Sequence, residues 1–166
     1  MLKLSHAALV FISGLVWLAV GCFLLPLGLK LLLKSAAVAA LETGSYPLLN
    51  TLTPYLGGTQ QVALLLIVLG LMIGYVKSNK ILSKSVHRSV ERIKSFSNPT
   101  SLGNLYSRGY YILFASMVLL GMSIRFLGVA DDIRGLIDVA VGAALINGAI
   151  LYFREALALR KAPLKP

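Results

Sequence analysis

Four long apolar runs, separated by polar and charged segments, dominate the pattern along this chain. The first covers residues 6–29 without a charged side chain, and the others cover about 59–76, 109–128 and 135–153. A helix needs about 20 apolar residues to cross a hydrocarbon core about 30 Å thick. None of the runs alternates between polar and apolar residues, as transmembrane β-strands do. We therefore predict an all-α integral membrane protein, with four transmembrane helices in a single membrane domain.

The composition supports this class. Hydrophobic residues make up 57% of the 166 residues and charged residues 13%, and the mean hydropathy is +0.82. Soluble domains contain about 45–50% apolar and about 25% charged residues. Water is therefore not the main solvent of this chain.

The Lys and Arg residues predict the orientation, because basic residues in short loops are retained on the cytoplasmic side. With the N-terminus inside, the outer segments hold four of the 16 basic residues, and the acidic residues nearby offset them. The other twelve fall in inner segments: Lys3, Lys77, Lys80, Lys84, Arg88, Arg92, Lys94, Arg108, Arg154, Arg160, Lys161 and Lys165. We predict a multi-pass protein of an inner, cytoplasmic-type membrane with both termini inside. This orientation accounts for the net charge of +10 without a nucleic-acid partner.

Two of the segments that connect the spans differ in composition. The outer segment 35–58 contains Tyr46-Pro47, Thr53-Pro54 and Gly57-Gly58, which are dipeptides typical of turns. We expect its second half to form turns, and the whole segment to pack on the membrane surface or on a partner. The inner segment 77–108 is basic and carries the clearest amphipathic pattern of the chain.

That pattern predicts a helix that extends the second span on the cytoplasmic side. Apolar residues recur at helical spacing as Leu82, Val86, Val90 and Ile93. The other side carries the candidate headgroup-binding residues Lys80, Lys84, Arg88 and Arg92. Two interpretations stay open: a solvated extension, or a helix whose apolar face enters the lipid interface while each basic residue contributes about 1 kcal/mol on anionic lipids.

Polar residues inside spans are costly and are functional candidates by default. Asp138 lies near the outer end of the fourth span and Arg125 near that of the third, so an ion pair between Arg125 and either Asp138 or Asp132 is geometrically easy. Such a pair would clasp the two helices. The alternative is that Asp138 is a cation or proton site facing a cavity. Asn147, near the centre of the fourth span, is expected to hydrogen-bond to another helix.

Small residues predict where helices approach closely. Gly70 and Gly74 form a GxxxG in the second span. On the fourth span a ridge of small residues repeats every four positions: Ala140, Ala144 and Gly148. These features predict a contact between the second and fourth spans or the seam of a homo-oligomer. Trp17 lies deep in the first span, which favours packing within the bundle.

The sequence contains no nucleophile with a base at readable spacing, no phosphate loop and no paired acids. His6 and His87 lack a second metal-type ligand nearby, and the single cysteine, Cys22, excludes an internal disulfide. We therefore predict no catalytic residues, no metal and no cofactor.

Two functions remain. The favoured one is a small solute or ion channel or transporter that acts as an oligomer. The alternative is a non-catalytic membrane scaffold or accessory subunit of a membrane complex, with a basic helix that binds anionic lipids. A polar midplane cavity lined by Asn147 or Asp138 would favour transport, and a dry bundle would favour the alternative.

Overall fold

The computed structural model describes residues 3–41, 44–96, 100–101, 124 and 126–161. A two-residue strand, β1 (Lys3–Leu4), pairs antiparallel with β2 (Thr100–Ser101). The rest of the regular structure in these residues is helical. The α-helices are α1 (His6–Ala39), α2 (Pro47–Leu56), α3 (Thr59–Lys77), α4 (Ser83–Lys94) and α5 (Asp131–Lys161), and a π-helical turn, Ser78–Leu82, joins α3 to α4.

Three of these helices are long and apolar enough to cross a membrane: His6–Ala39, Thr59–Lys80 and Asp131–Lys161. They contain the first, second and fourth predicted spans. The third predicted span, 109–128, falls almost entirely outside the described residues and stays a prediction. The 34 residues of α1, at a rise of about 1.5 Å each, give a length of about 51 Å. This exceeds a hydrocarbon core of about 30 Å, so α1 is longer than an untilted crossing requires.

Helices α1 and α5 run antiparallel and pack through glycines. Gly14, Gly21 and Gly28 repeat every seven residues on α1 and are all buried. A Cβ atom added to Gly28 would lie 2.7 Å from the carbonyl oxygen of Gly135, and one added to Gly21 would lie 3.0 Å from that of Gly142. Both distances are shorter than ordinary van der Waals contact. The two backbones are therefore in contact at these glycines, as small residues permit in membrane helices.

Helix α3 packs beside α5 and runs parallel to it. A Cβ atom added to Gly74 would lie 2.5 Å from the carbonyl oxygen of Ala140 and 3.0 Å from the amide nitrogen of Ala144. One turn earlier, Gly70 faces Val139. The structure thus brings four of the five predicted packing residues to one helix pair.

The fifth packing residue, Gly148, faces α1 instead. A Cβ atom added there would lie 2.9 Å from the indole ring of Trp17. Trp17 also lies 5.6 Å from the ring of Tyr152. The deep tryptophan packs within the bundle, against α5.

The prediction of turns in the second half of segment 35–58 is wrong, because Pro47–Leu56 forms the helix α2. Pro47 occupies the first turn of that helix, where its missing N–H costs no hydrogen bond and its fixed φ suits the helix. Gly57 ends the helix in the left-handed conformation, with φ of 82° and its N–H donating to the Thr53 carbonyl at 2.9 Å. Proline and glycine here mark the start and end of a helix.

Candidate functional site

The predicted amphipathic helix is present as α4, but its apolar face packs on protein. Val86, Val90 and Ile93 are each at most 2% exposed. They form one cluster with Leu9 and Val10 of α1 and with Tyr152 and Ala156 of α5. Of the two open interpretations, the one in which these side chains enter the lipid interface is therefore wrong, because the ends of α1 and α5 already cover them.

The opposite face of α4 and the π-helical turn before it are basic. Lys80, Lys84 and Arg88 are exposed. Arg92 is half-buried, with its guanidinium 5.9 Å from the ring centre of Phe96. The candidate headgroup residues thus share one surface, which the packing of α4 holds in place.

A cleft of about 690 Å³ lies between α4 and α5. Its charged lining side chains comprise three basic and two acidic residues: Lys84, Arg88, Glu91, Arg154 and Glu155. His87 also lines it, with Nδ1 3.6 Å from Oε1 of Glu155. The cleft therefore combines cations from two different helices. Sequence reasoning missed the contribution of Arg154, because only the folded structure brings the C-terminal part of α5 beside α4.

A second cavity, of about 340 Å³, forms a groove between α3 and α5. Its lining is apolar except for Lys77, and Ala140, Ala144 and Gly74 leave the space because they are small. On α5, Ala144 lines the groove and Leu151, seven residues later, lines the cleft. Residues seven apart lie on nearly the same side of a helix. The groove and the cleft therefore follow one another along a single seam beside α5.

Asp132 has a role that the sequence did not reveal. Its carboxylate is fully buried, and Oδ2 accepts hydrogen bonds from the backbone N–H groups of Leu48 at 2.8 Å and Leu49 at 3.2 Å. Its Oδ1 accepts from the N–H of Ile133 at 2.8 Å. Leu48 and Leu49 belong to the first turn of α2, where N–H groups lack partners within the helix. Asp132 therefore caps α2 from another helix, a role that Tyr46 at the N-cap position does not fill with its side chain.

Arg125 falls outside the described residues, so its predicted ion pair with Asp138 or Asp132 stays a prediction. Among the described cations, none lies within ion-pair distance of Asp138, although the positive charge of Arg134 acts on it. Arg134 itself is 3.9 Å from Asp131. Asp138 lines neither the cleft nor the groove.

Asn147 bonds to its own helix. Its Nδ2 donates to the carbonyl oxygen of Ala143 at 3.0 Å, so the hydrogen bond expected to another helix does not appear in the described part of the chain. Asn147 also lines neither cavity. This bond satisfies one N–H of the Asn147 amide within its own helix.

Within the described residues, no group of three His, Cys, Asp or Glu side chains could hold a metal ion. No protein-family model, no curated protein and no solved structure matches this chain. The basic surface of α4 and the seam beside α5 are therefore the observations from which its function is argued.

Proposed function

We propose that this protein is a non-catalytic membrane module that holds a basic helical surface against the anionic headgroups of the cytoplasmic leaflet. The observation that carries the proposal is the packing of α4. Its apolar residues are buried on α1 and α5, while Lys80, Lys84 and Arg88 are exposed. The basic surface is thus a fixed part of the bundle.

The distribution of charge supports the orientation. The α4 end of the bundle carries the basic residues of α4 and of the C-terminal part of α5, where Arg160 and Lys161 follow Arg154. Basic residues are retained on the cytoplasmic side. Anionic lipids of that leaflet attract basic segments beside the membrane by about 1 kcal/mol per residue.

The packing of the described helices argues against the transport function that the sequence favoured. The α1 and α5 backbones touch at Gly21 and Gly28, which leaves no room for a solute between them. Asn147 is bonded within its own helix, and neither Asn147 nor Asp138 lines the cleft or the groove. These observations support the module over a channel or transporter.

The test uses the full chain reconstituted in vesicles of equal phosphatidylglycerol and phosphatidylcholine content. Polymer nanodiscs cut from these vesicles report the lipids around the protein by mass spectrometry. We expect phosphatidylglycerol to be enriched around the wild-type protein, and the enrichment to disappear when Lys80, Lys84, Arg88 and Arg92 are changed to Gln. The control, Lys30→Gln with Lys34→Gln, neutralises two exposed charges of α1 away from α4 and should keep the enrichment.

The same vesicles test the alternative. They are loaded with K⁺, Na⁺ or a pH gradient, and the decay of each gradient is followed with and without protein. If the proposed function is correct, each gradient decays at the same rate with and without protein. A faster decay that Asp138→Asn or Asn147→Ala abolishes would replace the module with a transporter.

A further inference from the structure

We infer that one anionic phospholipid binds along the seam beside α5, with its headgroup phosphate in the cleft between α4 and α5 and an acyl chain in the groove between α3 and α5. This inference rests on the proposed function, because it requires the α4 end of the bundle to face the lipid headgroups. It replaces a diffuse basic surface with a defined site for a single lipid.

The cleft provides the charge for the headgroup. Lys84 and Arg88 of α4 and Arg154 of α5 line it and are all exposed, so their cationic groups can meet one phosphate from two sides. Two carboxylates, Glu91 and Glu155, leave the lining with an excess of one positive charge. Basic pockets between membrane helices on the cytoplasmic side bind anionic lipid headgroups in this way. Arg also matches the geometry of a phosphate through paired hydrogen bonds.

The groove provides the apolar part of the site. Its lining is apolar except for Lys77, which stands at the end of α3 nearest the cleft. Ile73, at its edge, is 45% exposed. A free phosphate or a soluble acidic peptide would gain nothing from an apolar groove at this position, whereas an acyl chain would fill it. The combination of a cationic cleft and an apolar groove therefore favours a lipid.

The spacing along α5 allows one molecule to reach both parts. Seven residues separate Ala144 in the groove from Leu151 in the cleft, which is about 10 Å along the helix. This distance is well within half of a bilayer core about 30 Å thick, the depth that one acyl chain fills. Moreover, α5 carries no charge from Val139 to Phe153, and Arg154 follows directly. The cleft therefore lies where the apolar part of α5 ends, which is the level at which headgroups begin.

The experiment titrates the purified full-length protein in detergent with dioleoyl phosphatidylglycerol and counts bound lipids by native mass spectrometry. We expect one tightly retained phosphatidylglycerol, much weaker retention of dioleoyl phosphatidylcholine, and no binding of inorganic phosphate. Changing Arg88 and Arg154 together to Gln should weaken retention about 25-fold, from about fivefold for each basic residue. The control, Lys80→Gln with Arg92→Gln, removes the same charge outside the cleft and should preserve the tight site.

A second pair of variants tests the groove without changing any charged residue. Its result therefore does not depend on whether the Arg88 and Arg154 variant folds correctly. Ile73→Trp fills the groove from an exposed position and should abolish the tight site. Met72→Trp adds the same ring at a neighbouring exposed position that does not line the groove, and should leave retention unchanged. Thermal melting in detergent verifies that each variant is folded.

The outcomes separate this inference from the proposed function. Equal retention of phosphatidylcholine and phosphatidylglycerol, or wild-type retention by both the cleft and the groove variants, would overturn the lipid site. An equal loss in Lys80→Gln with Arg92→Gln would also overturn it, and would leave a diffuse basic surface as the proposed function requires. Ion flux that depends on Asp138 or Asn147 would overturn the proposed function, whatever lipid is retained.

Discussion

The cap that Asp132 provides for α2 gives a prediction whose size follows from the structure. In Asp132→Ala the N–H groups of Leu48 and Leu49 lose their acceptor, and Leu49 is fully buried. A lost N-cap costs about 0.5–2 kcal/mol, and leaving a buried donor unpaired costs about 1–3 kcal/mol. We therefore expect Asp132→Ala to reduce the free energy of unfolding by about 2–4 kcal/mol. Asp132→Asn keeps an acceptor oxygen and loses the charge at the helix N-terminus, so we expect a loss of about 1 kcal/mol.

Asp131→Ala is the matched control. Both residues are acidic groups in the first turn of α5, so each change removes a similar charge from that helix end. Asp131 is 42% exposed and pairs with Arg134 only at 3.9 Å, and such surface pairs contribute at most about 1 kcal/mol. The difference between the two alanine variants therefore isolates the cap on α2.

Two measurements check this prediction in detergent-solubilised protein. Denaturant titration gives the free energy of unfolding, and hydrogen–deuterium exchange read by mass spectrometry reports on peptides that cover Pro47–Leu56. Asp132→Ala should accelerate exchange in the first turn of α2, and Asp131→Ala should not. If both variants unfold at the same denaturant concentration and exchange alike in α2, the cap contributes nothing and the reasoning fails.

Three further predictions follow from other parts of the molecule. Gly28→Leu should lower the free energy of unfolding by about 3 kcal/mol, because its side chain would collide with the α5 backbone; Ala19→Leu, an exposed position on the same helix, should change the melting temperature little. A reporter fused after Pro166 should prove cytoplasmic and one inserted within 43–58 external, because of the division of basic residues; an external C-terminus would contradict the four-span prediction. If Asp138 forms an ion pair with Arg125, Asp138→Asn should lower the thermal stability. The exchanged pair Arg125→Asp with Asp138→Arg should then recover part of the loss. Full stability of Asp138→Asn together with altered ion flux would assign Asp138 to transport instead.

The sequence predicts the elements that depend on local pattern. The long apolar runs identify α1, α3 and α5 because roughly 20 mostly apolar residues have few alternatives to a membrane-crossing helix. Gly70 and Gly74 point to a close helix contact because spacing alone places both on one side of α3. The seven-residue repeat of Gly14, Gly21 and Gly28 is equally visible in the sequence, although its partner helix is not.

The elements that depend on distant residues are the ones that local reasoning misses. Asp132 caps a helix 83 residues away from it in the chain, and no spacing rule connects residues at that separation. Helix α2 is missed for the same reason. Its Pro54 and Gly57 are residue types that favour a loop, and the helix becomes predictable only when Pro47 is placed in the first turn and the cap from Asp132 is included. A short helix with few local signals of its own forms because another element satisfies its first N–H groups.

The apolar face of α4 illustrates a related difference between pattern and partner. Helical spacing of Val86, Val90 and Ile93 shows only that these residues leave water, and a lipid interface satisfies that requirement as well as a protein core does. The structure resolves the choice, because Leu9 of α1 and Tyr152 of α5 are packed against them. It follows that α4 keeps its position whether or not lipid is present, since apolar packing on protein holds it. If its basic residues bind anionic headgroups, as proposed, they need not order a free helix, so the electrostatic attraction is not reduced by the entropy cost of folding.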